Sequence, residues 1–130
     1  MPRTVVTGAA LAAALLLTTA SAHATTSSVS GQTGGTYTYY DNPRTVTAAG
    51  SNIYLKASAQ GIGLTVMWYK CGDRSVHGQG VDVSLNTRKL IGSNFRAGTV
   101  FCLAAVADVV VDSHHTKVPW SGSLQWNVFS

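Results

Sequence analysis

Apolar and polar residues alternate along three short segments of the chain, with the two-residue period of a β-strand that buries one face. The segments are "NIYLKASAQ" (52–60), "VDVSL" (81–85) and "SLQWNV" (123–128). A glycine lies within two residues of each segment, as is common where a strand meets a turn. The residues predicted to point inward are Ile53, Leu55, Ala57, Ala59, Val81, Val83, Leu85, Leu124, Trp126 and Val128.

Two further segments are apolar on both faces, as expected of central strands. They are "LTVMWYKC" (64–71) and "TVFCLAAVA" (99–107). A shorter aromatic run, "YTYY" (37–40), is typical of a strand, and "DNPR" (41–44) predicts a turn. The segment "NTRKLIGSNFRAG" (86–98) is irregular and fits either a loop or a short strand.

Helical signals are absent from residues 25–130, which show no apolar stripe with a period of 3.6 residues. The chain also contains no Glu, a good helix former. We therefore predict one all-β domain over residues 37–130, a small antiparallel β-sandwich of about seven strands. A small β-barrel is the alternative architecture.

Residues 1–24 have the three parts of a secretory signal peptide. Arg3 gives a positive start, "GAALAAALLL" (8–17) is an uncharged apolar core, and Ala22 and Ala24 form an A-x-A cleavage pattern. The apolar run is shorter than the ~20 residues that cross a bilayer. We expect cleavage after Ala24 and a secreted, extracellular protein without membrane attachment.

The segment that follows the predicted cleavage point, "TTSSVSGQTGGT" (25–36), is uncharged and consists almost wholly of Thr, Ser, Gly and Gln. Val29 is its only apolar residue. Such a composition buries too little apolar surface to offset the entropy lost on ordering. The sequence therefore predicts a flexible N-terminal tail over residues 25–36.

The two cysteines, Cys71 and Cys102, both lie in the part of the chain that is predicted to be exported. An even number of cysteines in an oxidising compartment favours a disulfide. On the chain-entropy estimate, such a bridge would stabilise the fold by roughly 3–4 kcal/mol. The alternative, thiols that act as metal ligands or as a nucleophile, lacks a further Cys or His at ligand spacing.

The charge distribution argues against a nucleic-acid partner. The formal net charge is +4, but the basic residues are scattered and only Arg88 and Lys89 are adjacent. A nucleic-acid-binding protein would be expected to carry a basic patch or stripe. The short glycine pairs "GIG" and "GQG" open no predicted helix, so a phosphate-binding loop is not expected either.

The strongest candidate for chemistry is "DVVVDSHHTKVPW" (108–120), which contains Asp108, Asp112, His114 and His115. Adjacent residues of an extended chain point to opposite sides, so the two histidines are poorly placed to bind one ion. We interpret this segment as a polar loop between two strands. We therefore predict a protein with no catalytic residues, no metal site and no cofactor.

Aromatic residues are a better indication of function. Tyr37, Tyr39 and Tyr40 adjoin the predicted tail, and we predict that they bind a partner together with Thr33 and Arg44. Tyr and Arg are frequent hot spots in protein interfaces. The alternative is that the tyrosines simply form an edge strand.

The arrangement of "VMWYKCG" (66–72), "FRAGTVFCLAA" (95–105) and "WSGSLQWNVF" (120–129) resembles small secreted proteins of filamentous actinobacteria. In size and layout, residues 25–130 are similar to the small adaptor component of actinobacterial umbrella toxin particles. The resemblance implies an exported, non-catalytic β domain. Such an adaptor links a lectin-like secreted protein, engaged through its N-terminal tail, to a large toxin-bearing stalk protein.

The expected function is therefore that of an adaptor in an extracellular antibacterial particle. The alternative is a secreted inhibitor of a protease or glycosidase, with contacts from Gly72–Gly80 or from residues 112–119. A third hypothesis is carbohydrate binding, in which an exposed Trp120 stacks on a sugar ring.

Overall fold

The computed structural model describes residues 24–60, 63–107 and 117–130, and these residues form an all-β domain. Residues 1–23 of the predicted signal peptide lie outside the described residues, as do residues 108–116 with Asp108, Asp112, His114 and His115. The prediction of an all-β fold is confirmed, with nine strands in the described part of the chain. They are β1 (Thr25–Thr33), β2 (Thr38–Thr45), β3 (Ser51–Gln60), β4 (Leu64–Lys70), β5 (Asp73–His77), β6 (Val81–Val83), β7 (Arg88–Phe95), β8 (Val100–Ala107) and β9 (Val118–Val128).

The strands form two sheets whose ladders are antiparallel. The four-stranded sheet has the order β1-β9-β3-β7, and the five-stranded sheet has the order β2-β8-β4-β5, with β6 also paired to β4. The inward faces of the two sheets enclose one apolar core, so the predicted sandwich is confirmed. No helix in the described ranges is long and apolar enough to cross a membrane.

The alternation of "NIYLKASAQ" is confirmed over most of β3, where Ile53, Leu55 and Ala57 are fully buried. Four other inward predictions are wrong or only partly right. Val81, the first residue of β6, is half-buried and packs against the core, and the other three fall where the strand geometry changes. Ala59 is exposed and follows a register irregularity against β9, while Leu85 lies beyond the end of β6 and is 46 % exposed. Val128 is half-buried because the residue before it leaves the extended conformation.

That residue is Asn127, which has a φ of 62° and is buried. Asn tolerates this left-handed conformation better than most residues. Its Oδ1 accepts hydrogen bonds from the backbone N–H groups of Thr47 (2.8 Å) and Ala48 (3.1 Å), and its Nδ2 donates to Thr25 Oγ1 (3.1 Å). One side chain therefore ties the end of the last strand to the β2–β3 connection and to the start of β1.

The prediction of a flexible tail is wrong for Thr25–Thr33, which form strand β1 and pair with β9 over their whole length. The polar composition suggested a tail without fixed structure, but the strand is held by pairing with β9 and by two inward side chains, Val29 and Thr33. Val29 is 9 % exposed, and Thr33 is fully buried. The Thr33 hydroxyl donates to the carbonyl of Ala105 (2.6 Å), which satisfies its polar group.

Two segments of uncertain or misjudged structure are also strands. The irregular 86–98 segment contains β7, whose register against β3 is interrupted. The predicted "DNPR" turn lies within β2, where the pairing with β8 skips from Tyr40 to Arg44. Pro43 fits there because β2 is an edge strand.

Candidate partner-binding surface

The outer face of the five-stranded sheet carries a second apolar cluster, separate from the core. Its buried members alternate with core residues along β4 and β8, which explains why both segments are apolar on both faces. Tyr37 and Tyr39 pack over this cluster and remain partly exposed. We call the surface the tyrosine face; its residues are Tyr37, Tyr39, Met67, Tyr69, Cys71, Arg74, Cys102 and Ala104.

Three tyrosine rings form a row on this surface. The ring centroids of Tyr37 and Tyr39 are 6.2 Å apart, and those of Tyr39 and Tyr69 are 5.0 Å apart in an edge-to-face arrangement. The guanidinium carbon of Arg74 lies 4.0 Å from the centroid of the Tyr39 ring. A cation at this distance is attracted by the negative face of the ring. The row therefore presents aromatic carbon and one positive charge side by side.

Tyr69 anchors the row because it is almost fully buried. Its hydroxyl donates to the Tyr40 carbonyl (2.9 Å) and also lies 3.3 Å from Asp41 Oδ1. Burial, and then the nearby Asp41 carboxylate, raise the pKa of the Tyr69 hydroxyl above its ordinary value. Tyr69 is therefore a neutral hydrogen-bond donor at physiological pH.

The disulfide lies within the same surface, and its prediction is confirmed. Cys71 directly follows β4 and bonds to Cys102 of the neighbouring strand β8, with the two Cα atoms 5.2 Å apart. Cys102 is paired with Tyr69 across the ladder and is 1 % exposed. The bridge holds the start of the β4–β5 hairpin, which carries Arg74, against the sheet. The disulfide therefore helps to hold Arg74 in position over Tyr39.

Of the five residues predicted to bind a partner, the structure brings Tyr37 and Tyr39 together on the tyrosine face. Thr33 is fully buried, so the expectation that its side chain contacts a partner is wrong. Tyr40 points inward, and its hydroxyl donates to the Gln32 carbonyl (2.8 Å) and accepts from Trp120 Nε1 (3.0 Å). Side chains along β2 point alternately inward and outward, so Tyr40 points to the core when Tyr39 points to the tyrosine face. The Tyr40 hydroxyl thus connects β2 of one sheet to β1 and β9 of the other.

Arg44 lies apart from the tyrosine face, although it is on the same strand as Tyr39. Its guanidinium carbon is 5.9 Å from the centroid of the Trp126 ring, and one terminal nitrogen donates to the Asn42 carbonyl (3.0 Å). Partial burial lowers the pKa of Arg44, which nevertheless remains fully charged at physiological pH. Arg44 belongs to the β1–β2 side of the sandwich.

The structure contradicts the hypothesis of a sugar-stacking Trp120. This side chain is 3 % exposed and belongs to the core. Its ring packs edge-to-face against Tyr40, with centroids 6.0 Å apart. Neither face of a ring buried in this way is available to a sugar, so carbohydrate binding through Trp120 is not proposed further.

Within the described ranges, no three His, Cys or Asp side chains lie close enough to hold a metal ion. Asp73 and His77 are both exposed on β5. The Asp73 carboxylate accepts hydrogen bonds from the hydroxyl and the backbone N–H of Ser75, and these bonds lower its pKa. This local turn accounts for the Asp73 side chain without a ligand.

A second tyrosine–arginine pair lies on the opposite outer face, that of the four-stranded sheet. The guanidinium carbon of Arg88 is 3.5 Å from the centroid of the Tyr54 ring, and Arg88 Nε donates to Gln125 Oε1 (3.0 Å). The pair lines a shallow groove of about 370 Å³. The remaining lining residues are Leu55, Lys56, Ser123 and Gln125. Among the residues that the structure describes, the apolar cluster outside the core lies under Tyr39 and does not include Tyr54.

Sequence reasoning missed Arg74 and Met67 as members of the tyrosine face. Arg74 lies in "GDRSVHGQG" (72–80), whose composition predicts a polar connection between strands. In the structure this segment folds back as β5 and pairs with β4, which brings Arg74 over Tyr39. A usable signal for Met67 was the doubly apolar pattern of β4, since Met67 and Tyr69 occupy its second face.

Comparison with known proteins assigns no function to the chain. It matches no protein-family model, no curated protein and no solved structure. A functional proposal therefore depends on the surfaces of the domain and on the pattern of its sequence.

Proposed function

We propose that this chain is a secreted, non-catalytic interaction module whose tyrosine face binds a protein partner. More specifically, it acts as an adaptor that links a lectin-like protein to a toxin-bearing stalk protein in an extracellular antibacterial particle. The observation that carries the proposal is the row of Tyr37, Tyr39 and Tyr69 with Arg74 stacked on it. Tyr and Arg are among the residues that contribute most to binding energy at protein interfaces.

The tyrosine face suits binding because it loses little entropy when it is covered. Tyr39 is held between Tyr37, Tyr69 and Arg74 before any partner arrives. The disulfide fixes the strand ends beneath it. Side chains that are ordered in advance do not have to be immobilised on association, which improves affinity.

The place of the chain in a toxin particle is supported by its resemblance to the umbrella-particle adaptors. The signal peptide, the cysteine pair and the strand pattern carry that resemblance. The segment that would correspond to the inserting tail is mostly strand β1, so a free tail over residues 25–33 is not part of the proposal. Engagement of a partner is assigned to the tyrosine face instead.

The experiment is purification of the tagged chain from the culture supernatant of its native host, followed by size-exclusion chromatography and mass spectrometry. The proposal expects a large complex that contains a lectin-like protein and a long multidomain protein. The variants Tyr39→Ala and Arg74→Ala are expected to lose at least one of these proteins. Elution of the wild-type chain alone, as a free domain, would contradict the proposal.

Matched controls are available on the opposite face. Tyr54→Ala and Arg88→Ala remove the same residue types from an equally close tyrosine–arginine pair. They are expected to keep both partners. Loss of the partners in these controls, with retention in Tyr39→Ala, would move the binding surface to the Tyr54 groove and contradict the assignment.

A second candidate function, inhibition of a secreted protease or glycosidase, is supported by the β4–β5 hairpin. All five residues of β5 are exposed, and the strand begins two residues after Cys71. A rigid, exposed segment held by a disulfide is suited to an inhibitory contact. Recovery of the chain with a single enzyme, and loss of inhibition in Val76→Asp, would favour this function over the adaptor.

A further inference from the structure

The sandwich has four sheet edges, and the strand at one of them differs from those at the other three. An edge strand offers unpaired backbone groups to other chains, and proteins usually protect it with charge, Pro, a bulge or shortness. Strand β7 carries Arg88 and Lys89 and is irregular, and β2 contains a bulge with Asp41, Pro43 and Arg44. The edge formed by β5 and β6 is charged, and both strands are short.

Strand β1 has none of these protective features. It carries no charge and no Pro over nine residues, and its nine partners on β9 follow one another without a register shift. In the described part of the chain β9 is its only neighbour in the sheet. A long, regular and uncharged edge strand is a template for another strand.

The outward-directed backbone groups of β1 can be identified. Pro119 lies opposite Gln32 and has no N–H to offer, and the Gln32 carbonyl accepts from the Tyr40 hydroxyl instead. This carbonyl therefore points away from β9. Because backbone groups of successive residues point to alternate sides, those of Ser28 and Ser30 also point away. The Ser28 carbonyl accepts from the Ser27 hydroxyl at 3.2 Å, which leaves a second lone pair for a strand partner.

We propose that β1 pairs antiparallel with β1 of a second copy of this chain, so that two four-stranded sheets join into one. The inference goes beyond the adaptor function and does not depend on it. A pairing centred on Val29 places Ser28 opposite Ser30 of the second copy. Because β1 is uncharged, no like charges meet, and serine hydroxyls lie where cross-strand hydrogen bonds form.

The test measures the mass of the chain, purified from the medium of an exporting host, by light scattering across a wide range of concentration. A dimer is expected. The double variant Ser28→Lys/Ser30→Lys places lysines opposite each other across the two-fold axis and is expected to weaken the dimer at least about tenfold. Ser28→Pro removes an outward N–H and is expected to do the same, while leaving the β9 ladder intact.

The control Ser58→Lys adds one charge to the outer face of the same sheet, two strands away from β1. It is expected to remain dimeric. Unchanged circular dichroism shows that each variant is folded.

Amide hydrogen exchange provides a readout that does not depend on mass. In the dimer the amides of Ser28 and Ser30 are bonded to the second copy and are expected to exchange slowly. A monomer at every concentration, with rapid exchange at both amides, would overturn the proposal. A monomer whose Ser28 amide becomes protected only on addition of a co-purified protein would overturn it as well, and would assign the edge to that protein's strand. A dimer that Ser28→Lys/Ser30→Lys leaves unchanged would contradict pairing through β1.

Discussion

The two outer faces of the sandwich each carry an arginine stacked on a tyrosine, but the pairs have different surroundings. Arg74 and Tyr39 lie over buried Met67, Tyr69 and the disulfide. Arg88 and Tyr54 lie in a groove lined by polar side chains, where Arg88 donates to Gln125. The same residue pair is thus part of an apolar cluster on one face and part of a solvated polar network on the other.

This difference indicates what makes such a pair suitable for binding. An arginine on an exposed tyrosine is attracted to it by about 0.5–1 kcal/mol and is otherwise free to move. A tyrosine that also packs against buried neighbours is held in place and adds apolar area that a partner can cover. We therefore expect the two faces to respond differently to equivalent changes.

The largest effect is expected from removal of the disulfide, which lies on the tyrosine face. The double variant Cys71→Ala/Cys102→Ala is expected to lower the free energy of unfolding by roughly 3–4 kcal/mol, because a closed loop restricts the unfolded chain. Urea denaturation measures this loss. Wild-type protein with the disulfide reduced should have a free energy of unfolding similar to that of the double variant. A loss below about 1 kcal/mol would show that the hydrogen bonds of the sheet fix β4 and β8 without the disulfide.

A smaller effect is expected from truncation of the two stacked tyrosines. Tyr39→Ala is expected to cost about 2 kcal/mol of unfolding free energy, because it removes ring contacts with Tyr37 and Tyr69. Tyr54→Ala is expected to cost less than about 1 kcal/mol. Equal losses in thermal or urea unfolding would remove the distinction between the faces.

Tyr69 of the tyrosine face and the inward-pointing Tyr40 should also make stability sensitive to high pH. Burial raises the pKa values of Tyr69 and Tyr40, so the folded protein keeps these protons to a higher pH than the unfolded chain. Their contribution is complete below the ordinary pKa of about 10 and is lost as the pH rises through the raised values.

The variant Tyr69→Phe separates the two tyrosines in this pH dependence. At neutral pH it is expected to cost about 1 kcal/mol, through the lost hydrogen bond to the Tyr40 carbonyl. Above pH ~10 its unfolding free energy should fall less steeply than that of wild type. Parallel curves for the two proteins would show that Tyr69 does not contribute to the decline.

The smallest effect is expected from the arginines themselves. Arg74→Ala should lower the unfolding free energy by about 0.5 kcal/mol, the lower end of the range for an exposed stacking contact. Arg88→Ala should cost slightly more, about 1 kcal/mol, because Arg88 also donates to Gln125. A larger loss for Arg74→Ala than for Arg88→Ala, measured by thermal unfolding, would reverse the comparison.

The pattern of apolar residues was sufficient to predict the central strands and the sandwich. Alternation located β3 and β9, and the two runs that are apolar on both faces located β4 and β8. These four strands pack against one another around the core. The same pattern failed at Asn127, which turns out of the extended conformation to bond three distant groups. No local feature of the sequence identifies those partners.

Strand β1 and Arg74 show a second limit of sequence reasoning. The residues of β1 resemble a flexible linker, and only pairing with β9, far along the chain, makes them a strand. Of the tyrosines at residues 37–40, Tyr37 and Tyr39 lie on the candidate surface, and their binding of a partner stays a prediction. Arg74 could not be predicted, because its place over Tyr39 depends on how the β4–β5 hairpin folds back.

The central place of β9 in the four-stranded sheet affects the order in which the protein can fold. This strand lies between β1 and β3, yet it is the last of the nine described strands to be synthesised. Until it emerges, β1 has no neighbour in its sheet, whereas β4 and β8 can already meet and form the disulfide. A topology with such distant pairings folds slowly. The four-stranded sheet is therefore completed last, when β9 joins β1 and β3.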